Sequence, residues 1–193
     1  VVPASSEIGS VVTNGMSNYS RDGSNANSAL LVQVRREDFD RGDVLDGVRF
    51  QRGLEKNAFA IAGSSYAAPV QRVEDFFANR ESCSFGEVLP TYAAGTAFCD
   101  LNKLLPEYIC SSMKSALLDM DRRLKGFSCA DALMTAPETR FSSPVRILRG
   151  DGMESVTVKG VYPCGEGCGY SGGITSSAAD GIRVAEAIIE KYC

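Results

Sequence analysis

The sequence predicts an α+β fold, and two observations support that prediction. Apolar residues recur at helical spacing in several segments, while shorter apolar runs between turn residues have the character of strands. The two patterns are mixed along the chain, and no unit is repeated. The 193 residues suit one domain, or one domain with a piece of a second, and the 44% apolar and 23% charged content is ordinary for a globular chain.

The N-terminal segment predicts loops followed by one strand. Residues 1–27 are rich in Gly, Ser and Asn, and Asn14-Gly15 predicts a turn because this pair tolerates positive φ. The apolar run Ala29–Val34 predicts a buried strand, which the charged residues 35–38 close.

Helices are predicted for the central part of the chain. The first begins near Val48, ends at Gly63 and has one apolar face, formed by Phe50, Leu54, Ala58, Ile61 and Ala62. Pro69 and Gln71 are expected to open a short second helix, which carries Val73, Phe76 and Phe77. Asp100 resembles an N-cap for a third helix, and Pro106 is expected to restart a helix at its first turn.

The C-terminal part predicts short strands and one long helix. Strand-like apolar runs occupy residues 130–135, 145–148, 156–158 and 161–164. The helix is predicted from about Ile174 to Tyr192, with Ile182, Ala185, Ile188 and Ile189 on one face.

Charge and residue types exclude several classes of function. The chain has 20 Lys and Arg and 24 Asp and Glu, and its net charge of −4 lacks the positive footprint of a nucleic-acid-binding protein. Because it has 0 His, it cannot form a Ser-His-Asp, Cys-His or H-E-x-x-H site. No run approaches the roughly 18 apolar residues of a membrane span, and no signal peptide is evident. We therefore expect a cytoplasmic protein without a membrane partner.

The seven cysteines predict reduced thiols rather than a disulfide framework. Their number is odd, they are scattered, and we expect most of them to fill small apolar sites. Cys164 and Cys168 lack further nearby ligands and any His for a metal, and their spacing is unusual for a redox pair. We expect no metal site, and we interpret this pair as two small residues in a tight turn.

A glycine-rich run near the C-terminus carries the most specific local pattern. Between Gly160 and Gly181 the sequence predicts a strand, an acidic residue (Glu166) at its end, a glycine-rich approach and a helix N-terminus. Glycines let a ligand approach the backbone, and free N–H groups at a helix start favour an anion or a polarised oxygen. The alternative is a tight strand-to-helix turn with structural glycines, and the local pattern alone leaves both interpretations open.

The chain as a whole resembles the bacterial FAD-dependent dehydrogenase family, and the glycine-rich run resembles the last cofactor motif of flavoproteins with the glutathione-reductase-like fold. The resemblance extends over essentially residues 1–190. The segments that carry it are Val11–Ser17, Arg21–Leu30, Tyr66–Gln71, Glu138–Ile147 and Gly160–Glu186. Several motifs in the same order make a chance match implausible.

The resemblance implies that part of the flavoprotein is missing from this chain. Such proteins begin with a strand–G-x-G-x-x-G–helix unit that holds the FAD pyrophosphate, and none follows a strand before residue 160 here. We therefore expect a C-terminal portion of a longer enzyme, an interpretation to which Val1 in place of Met also contributes. Residues 1–135 would form an inserted substrate-side domain of helices and mixed strands. Residues 136–193 would form the strand–turn–helix portion of an incomplete FAD-binding domain, which we expect to retain FAD weakly or not at all.

Site residues follow from the resemblance at matching positions. Glu166, after Gly165, occupies the position whose carboxylate bonds the ribityl chain of FAD. Gly172, Gly173 and Ile174 occupy the helix start, whose N–H groups face the pyrimidine edge of the flavin. A dipole there favours negative charge on the reduced ring.

Candidate substrate residues come from two polar segments, and each has a structural alternative. Arg140 and Arg146 could bind a substrate carboxylate, or could form an ion pair with Glu138 or a nearby Asp. Asn14, Asn25 and Asn27 could line a substrate pocket, or could serve turn geometry.

The expected function is that of an FAD-dependent dehydrogenase, which moves a hydride between FAD and an unknown small substrate or NAD(P)H. No catalytic base stands out in the sequence. The alternative is a binding domain, for a ligand or a protein, that uses the same fold without catalysis, because a fold does not fix a function.

Overall fold

The computed structural model describes residues 1–193, with five α-helices and five short strands. Helices together with a mixed sheet confirm the predicted α+β class. The chain divides into two units: unit 1 comprises Val1–Arg35 and Gln51–Thr139, and unit 2 comprises Arg36–Phe50 and Arg140–Cys193. None of the five helices combines the length and the hydropathy that a membrane-spanning helix needs.

Unit 1 is built on a three-stranded sheet with a buried central strand. This strand, β3 (Ala68–Arg72), pairs in parallel with β4 (Thr96–Phe98) and antiparallel with β5 (Leu133–Thr135). Val70 lies opposite Phe98 on one side and Thr135 on the other. β5 thus confirms the second half of the strand that the sequence predicts at residues 130–135.

The prediction that Pro69 and Gln71 open a helix is wrong. Both lie in β3, where the Pro69 carbonyl accepts a hydrogen bond from Ala136 N–H, and the helix α2 (Val73–Phe77) begins only after the strand. The Gln71 side chain is fully buried and accepts from the N–H of Leu101 at 2.9 Å. Pairing of β3 with β4 on one side and β5 on the other favours the strand conformation. These neighbours satisfy backbone N–H and C=O groups that a helix would satisfy with its own hydrogen bonds.

The other helices that the sequence predicts for the central part of the chain are confirmed. The first predicted helix is α1 (Asp46–Ile61), and Gly63 follows it at φ +77°. The Asp100 side chain accepts from the N–H of Asn102 and caps α3 (Leu101–Leu104). Pro106 precedes α4 (Glu107–Arg123). Members of the core that these elements enclose include Val11, Ala58, Val73, Phe76, Leu101, Leu104, Ile109 and Leu117.

Two further predictions for the N-terminal segment are wrong. Residues 29–34 form no strand, although Leu30, Val32 and Val34 are half-buried against the core on alternate positions. In an extended segment, alternate side chains can still face the core. Without a neighbouring strand, however, its backbone forms no ladder of hydrogen bonds, so it is not a strand. Asn14 lies not in a turn but in β2 (Thr13–Asn14), which pairs antiparallel with β1 (Val2–Pro3).

Unit 2 contains the long C-terminal helix but none of the strands predicted before it. The helix α5 (Ile174–Tyr192) confirms the predicted element. Residues 145–148, 156–158 and 161–164 form no strand, and an isolated bridge between Arg149 and Ser155 stands in their place. Local bonds such as Gly150 N–H to the Glu154 carbonyl occupy the backbone instead. The observed motif is therefore turn–helix rather than strand–turn–helix.

The cysteines are more exposed than expected. All seven are free, but Cys99 and Cys110 alone are buried, while Cys168 is half-buried and the other four are exposed. Burial raises the pKa of the Cys99 thiol to about 11, which keeps it protonated.

Candidate cofactor-binding site

The start of α5 presents backbone N–H groups that the helix itself leaves without acceptors. Gly173 is the N-cap in an extended conformation, and no side chain caps the helix there. The first backbone bond into the helix runs from Ser177 N–H to the Gly173 carbonyl at 2.9 Å, so the preceding N–H groups lie outside the ladder. Ile174 is 92% exposed. This end of the helix offers partial positive charge to a ligand.

Gly165 lies against the first turn of this helix. A Cβ at Gly165 would be 3.8 Å from the Cβ of Ser177, and the residue has φ +73°, which favours glycine. Its N–H donates to Asp180 Oδ2 at 2.9 Å. The structure therefore brings the predicted residues Gly165, Gly172, Gly173 and Ile174 to the same end of α5.

Glu166 follows Gly165 and is half-buried. Its backbone carbonyl accepts from Gly169 N–H at 2.9 Å, which closes the turn. Its carboxylate takes part in none of the hydrogen bonds and ion pairs of the turn, so both oxygens remain available to accept hydroxyl donors.

An ion pair that the sequence analysis missed holds this turn on the helix. The Arg149 guanidinium donates to both carboxylate oxygens of Asp180, at 2.6 and 2.9 Å, and to the Pro163 carbonyl at 2.8 Å. The two side chains are only 10% and 8% exposed. Arg149, followed by the Gly165 N–H, lowers the pKa of Asp180 to about 2. The pair fixes residues 163–165 against the first half of α5.

Tyr170 completes this cluster. The Arg149 guanidinium lies 3.7 Å from the centroid of the Tyr170 ring. The Tyr170 hydroxyl donates to the Ile147 carbonyl at 3.0 Å and accepts from the backbone N–H of Arg149 at 3.1 Å. Its backbone N–H donates to the Gly165 carbonyl at 3.0 Å.

One sequence signal could have indicated the pairing of Asp180 with Arg149. Asp180 lies four positions before the buried Val184, so it occupies the inner face of α5, where a carboxylate needs a partner.

The two predicted arginines lie in unit 2, and Arg146 lines a surface pocket there. Its Nε donates to the Gly169 carbonyl at 2.9 Å, and its guanidinium lies 5.1 Å from the Tyr170 ring centroid. Glu138, suggested as an ion-pair partner, belongs to unit 1, and burial raises the pKa of its carboxyl group. No ion pair of Glu138 is present.

The three predicted asparagines lie in unit 1, and each of them contacts backbone groups there. The Asn25 amide donates to the Leu89 carbonyl at 2.7 Å, and the Asn27 amide donates to the Met16 carbonyl at 3.0 Å. Asn14 pairs with Val2 in the two-stranded sheet. The Leu89 and Met16 carbonyls are 64 and 11 positions away, so neither bond is the local turn contact that was the alternative to a substrate role.

The residues at the start of α5 fit the polar groups of a flavin cofactor. Exposed N–H donors suit an electron-rich ring edge, and the Glu166 carboxylate suits hydroxyl groups of a ribityl chain. Gly167, Gly169 and Gly172 also have the spacing G-x-G-x-x-G before a helix, but no strand precedes them, so the setting of a dinucleotide fingerprint is absent. No three His, Cys, Asp or Glu side chains are grouped so that they could hold a metal ion.

Comparison with known proteins agrees with a flavin-related role. Residues 1–141 match the family model described as FAD-dependent protein, C-terminal domain-like. The chain belongs to this family. The glycine-rich turn and α5 lie after the residues that match the family model.

A relative extends the comparison through the candidate site. An uncharacterized protein of Clostridium beijerinckii is 50% identical over 192 residues, which cover 100% of this chain. The chain spans 36% of the length of that relative, so the relative contains a large region with no counterpart here.

Proposed function

We propose that this chain is the C-terminal portion of an FAD-dependent dehydrogenase with the glutathione-reductase-like fold, and that the turn at residues 165–174 contributes to its flavin site. Membership of an FAD-dependent family supports the cofactor. The observation that carries the site is that Gly165, which precedes Glu166, lies against the first turn of α5, whose N-terminus has no side-chain cap.

Each residue of this turn has a role that its geometry allows. FAD, when bound, supplies the acceptance of a hydride from a small substrate or from NAD(P)H. The Glu166 carboxylate accepts hydrogen bonds from ribityl hydroxyls. The N–H groups at Gly173 and Ile174 stabilise negative charge at the cofactor edge. Arg149 and Asp180 hold Gly165 on α5 and so keep Glu166 in place.

The assignment of residue ranges to two domains is part of this proposal. Residues 1–135 are assigned to the substrate side, and residues 136–193 to the FAD-binding domain, whose nucleotide-binding half belongs to the longer protein. The Clostridium relative is long enough to contain such a half in addition to the region that matches this chain. Retention of FAD by the 193-residue chain alone is expected to be weak, because the pyrophosphate site would lie in the other half.

An absorbance spectrum tests the proposed function. The purified full-length Clostridium relative should absorb at about 450 nm with a flavin spectrum, while this chain should be colourless after gel filtration with FAD. A relative that stays colourless after FAD is added would contradict the proposal and favour a binding domain without flavin. A stoichiometrically yellow preparation of this chain would instead contradict the expected weak retention.

A substitution tests the role of Glu166. In the protein extended by its nucleotide-binding half, Glu166→Gln should weaken FAD binding by roughly 1–3 kcal/mol, the size of a charge-assisted hydrogen bond. Glu186→Gln, an exposed carboxylate on α5, is the matched control and should leave FAD affinity unchanged. Equal affinities for the two variants would exclude contact between Glu166 and the ribityl chain.

A further inference from the structure

A polar pocket lies beside the glycine-rich turn in unit 2, and of the predicted cofactor residues it includes Gly172 alone. Its volume is about 320 Å³, and its lining includes Ser143, Arg146, Gly169, Tyr170, Ser171 and Gly172. This volume is near the lower end of the range for small-molecule sites. The pocket therefore suits a small ligand or one end of a larger ligand.

Arg146 is the charged residue of the pocket lining, and none of the ion pairs of the chain includes it. Its Nε is held by the Gly169 carbonyl at 2.9 Å, and its guanidinium lies 5.1 Å from the Tyr170 ring centroid. These two contacts orient the guanidinium and leave its terminal NH₂ groups without an acceptor. The neighbouring Arg149 differs, because Asp180 neutralises it.

The remaining walls add hydrogen-bonding groups without adding negative charge. Ser143 and Ser171 contribute hydroxyls, which bond to the Val145 carbonyl and to Ser177 Oγ at 2.8 and 2.7 Å. A Cβ at Gly172 would meet no atom within 4 Å, so a ligand can approach the backbone there. Gly169 brings its carbonyl against Arg146 because its backbone passes close to Val145.

We propose that this pocket binds a small oxyanion, a carboxylate or a phosphate group, with Arg146 as its main charged contact. A guanidinium presents parallel N–H donors that match the two oxygens of such a group. A pocket with a surplus positive charge and polar walls disfavours cationic and purely apolar ligands. A carboxylate substrate and a phosphorylated ligand share this chemistry. The inference does not depend on flavin binding, because it rests on Arg146 and the pocket around it and not on Glu166 or the start of α5.

An NMR titration of the 193-residue chain tests the site at constant ionic strength. Sodium succinate and inorganic phosphate are the probes, and the backbone amides of Gly169 and Gly172 and the Nε–H of Arg146 are the reporters. Arg146→Gln should weaken binding of the preferred anion by about tenfold or more. Arg36→Gln, an exposed arginine of the same unit, is the matched control and should bind like the wild type.

The outcomes separate the two sources of the ligand and the two proposals. Saturable shifts with succinate alone indicate a carboxylate ligand, and shifts with phosphate alone indicate a phosphorylated one. Absence of saturable shifts up to about 50 mM, or equal affinity in Arg146→Gln and wild type, would overturn the inference. If the Clostridium relative is yellow but this chain responds to neither anion, only the pocket proposal is rejected. If the relative is colourless, only the flavin proposal is affected.

Discussion

Arg149 and Asp180 are separated by 31 positions in the chain and form a bidentate ion pair that joins the glycine-rich turn to α5. Asp180 also accepts from the N–H of Gly165, and Arg149 also donates to the carbonyl of Pro163. One nearly buried pair therefore makes several of the contacts that hold the turn on α5, beside the bond between Ser171 Oγ and Ser177 Oγ. The order of the candidate site rests on charge pairing rather than on a sheet.

Removal of the charge on Asp180 should destabilise unit 2. Asp180→Asn leaves the guanidinium of Arg149 nearly buried without its counter-ion, and loss of one partner of a buried pair costs about 3–5 kcal/mol. The bonds that remain to Pro163 and Tyr170 should reduce this to roughly 2–4 kcal/mol. Urea unfolding followed by circular dichroism measures the loss.

The double variant Arg149→Met with Asp180→Leu separates an unpaired charge from a lost contact. It removes both charges and keeps similar volume, so it should recover part of the stability that Asp180→Asn loses. Equal destabilisation by the single and double variants would mean that the network of hydrogen bonds, and not the charge balance, stabilises the turn.

The same pair predicts how stability depends on pH. Folding lowers the pKa of Asp180 to about 2, below the value of about 3.9 for an unfolded Asp. The pair therefore contributes its full stabilisation above about pH 4 and loses it as the pH falls from about 4 to about 2. The free energy of unfolding of the wild type minus that of Asp180→Asn should shrink across this window. A difference that stays constant down to pH 2 would contradict the assignment.

Elements with local signals were predictable from the sequence. The helices α1, α4 and α5 follow from apolar periodicity, and Asp100 was recognisable as an N-cap, because helical bonds and caps connect residues a few positions apart. Residues 156–158 have strand character but no strand, since a strand needs a partner that a local pattern cannot supply.

The position of the candidate site was predictable only in part. The resemblance selected Glu166 and the helix start, which the structure places at one end of α5. Some buried carboxylates with distant partners were not recognised: Asp180 pairs with a distant arginine, and Glu55 on α1 accepts from Thr139 Oγ1 at 2.6 Å. Their partners are 31 and 84 positions away, beyond the range of any local pattern.

Gly169 should tolerate no side chain. Its φ of +81° disfavours any other residue, and a Cβ there would lie 2.5 Å from the Val145 carbonyl oxygen and 3.0 Å from the Cα of Arg146. Gly169→Ala should therefore cost about 1–3 kcal/mol through backbone strain, with a further cost from the displaced segment. Gly167→Ala in the same turn is the control, since a Cβ there meets no atom within 4 Å. Thermal unfolding should separate the two variants, and equal melting temperatures would contradict the close approach.

In unit 1, the buried hydroxyl of Ser82 should contribute more to the free energy of unfolding than the exposed hydroxyl of Ser84. Ser82 Oγ donates to Asp75 Oδ2 at 2.7 Å and accepts from Arg72 N–H at 2.9 Å, and both Ser82 and Asp75 are buried. Ser82→Ala removes both bonds and leaves a buried N–H and a carboxylate oxygen unsatisfied, so it should cost about 1–3 kcal/mol. Ser84→Ala, at an exposed position two residues later, should change the free energy of unfolding by less than about 0.5 kcal/mol. Chemical denaturation of both variants measures the contrast. If Ser82→Ala were as stable as Ser84→Ala, water would have to replace the hydroxyl at no cost, and the network around Asp75 would not stabilise the end of β3.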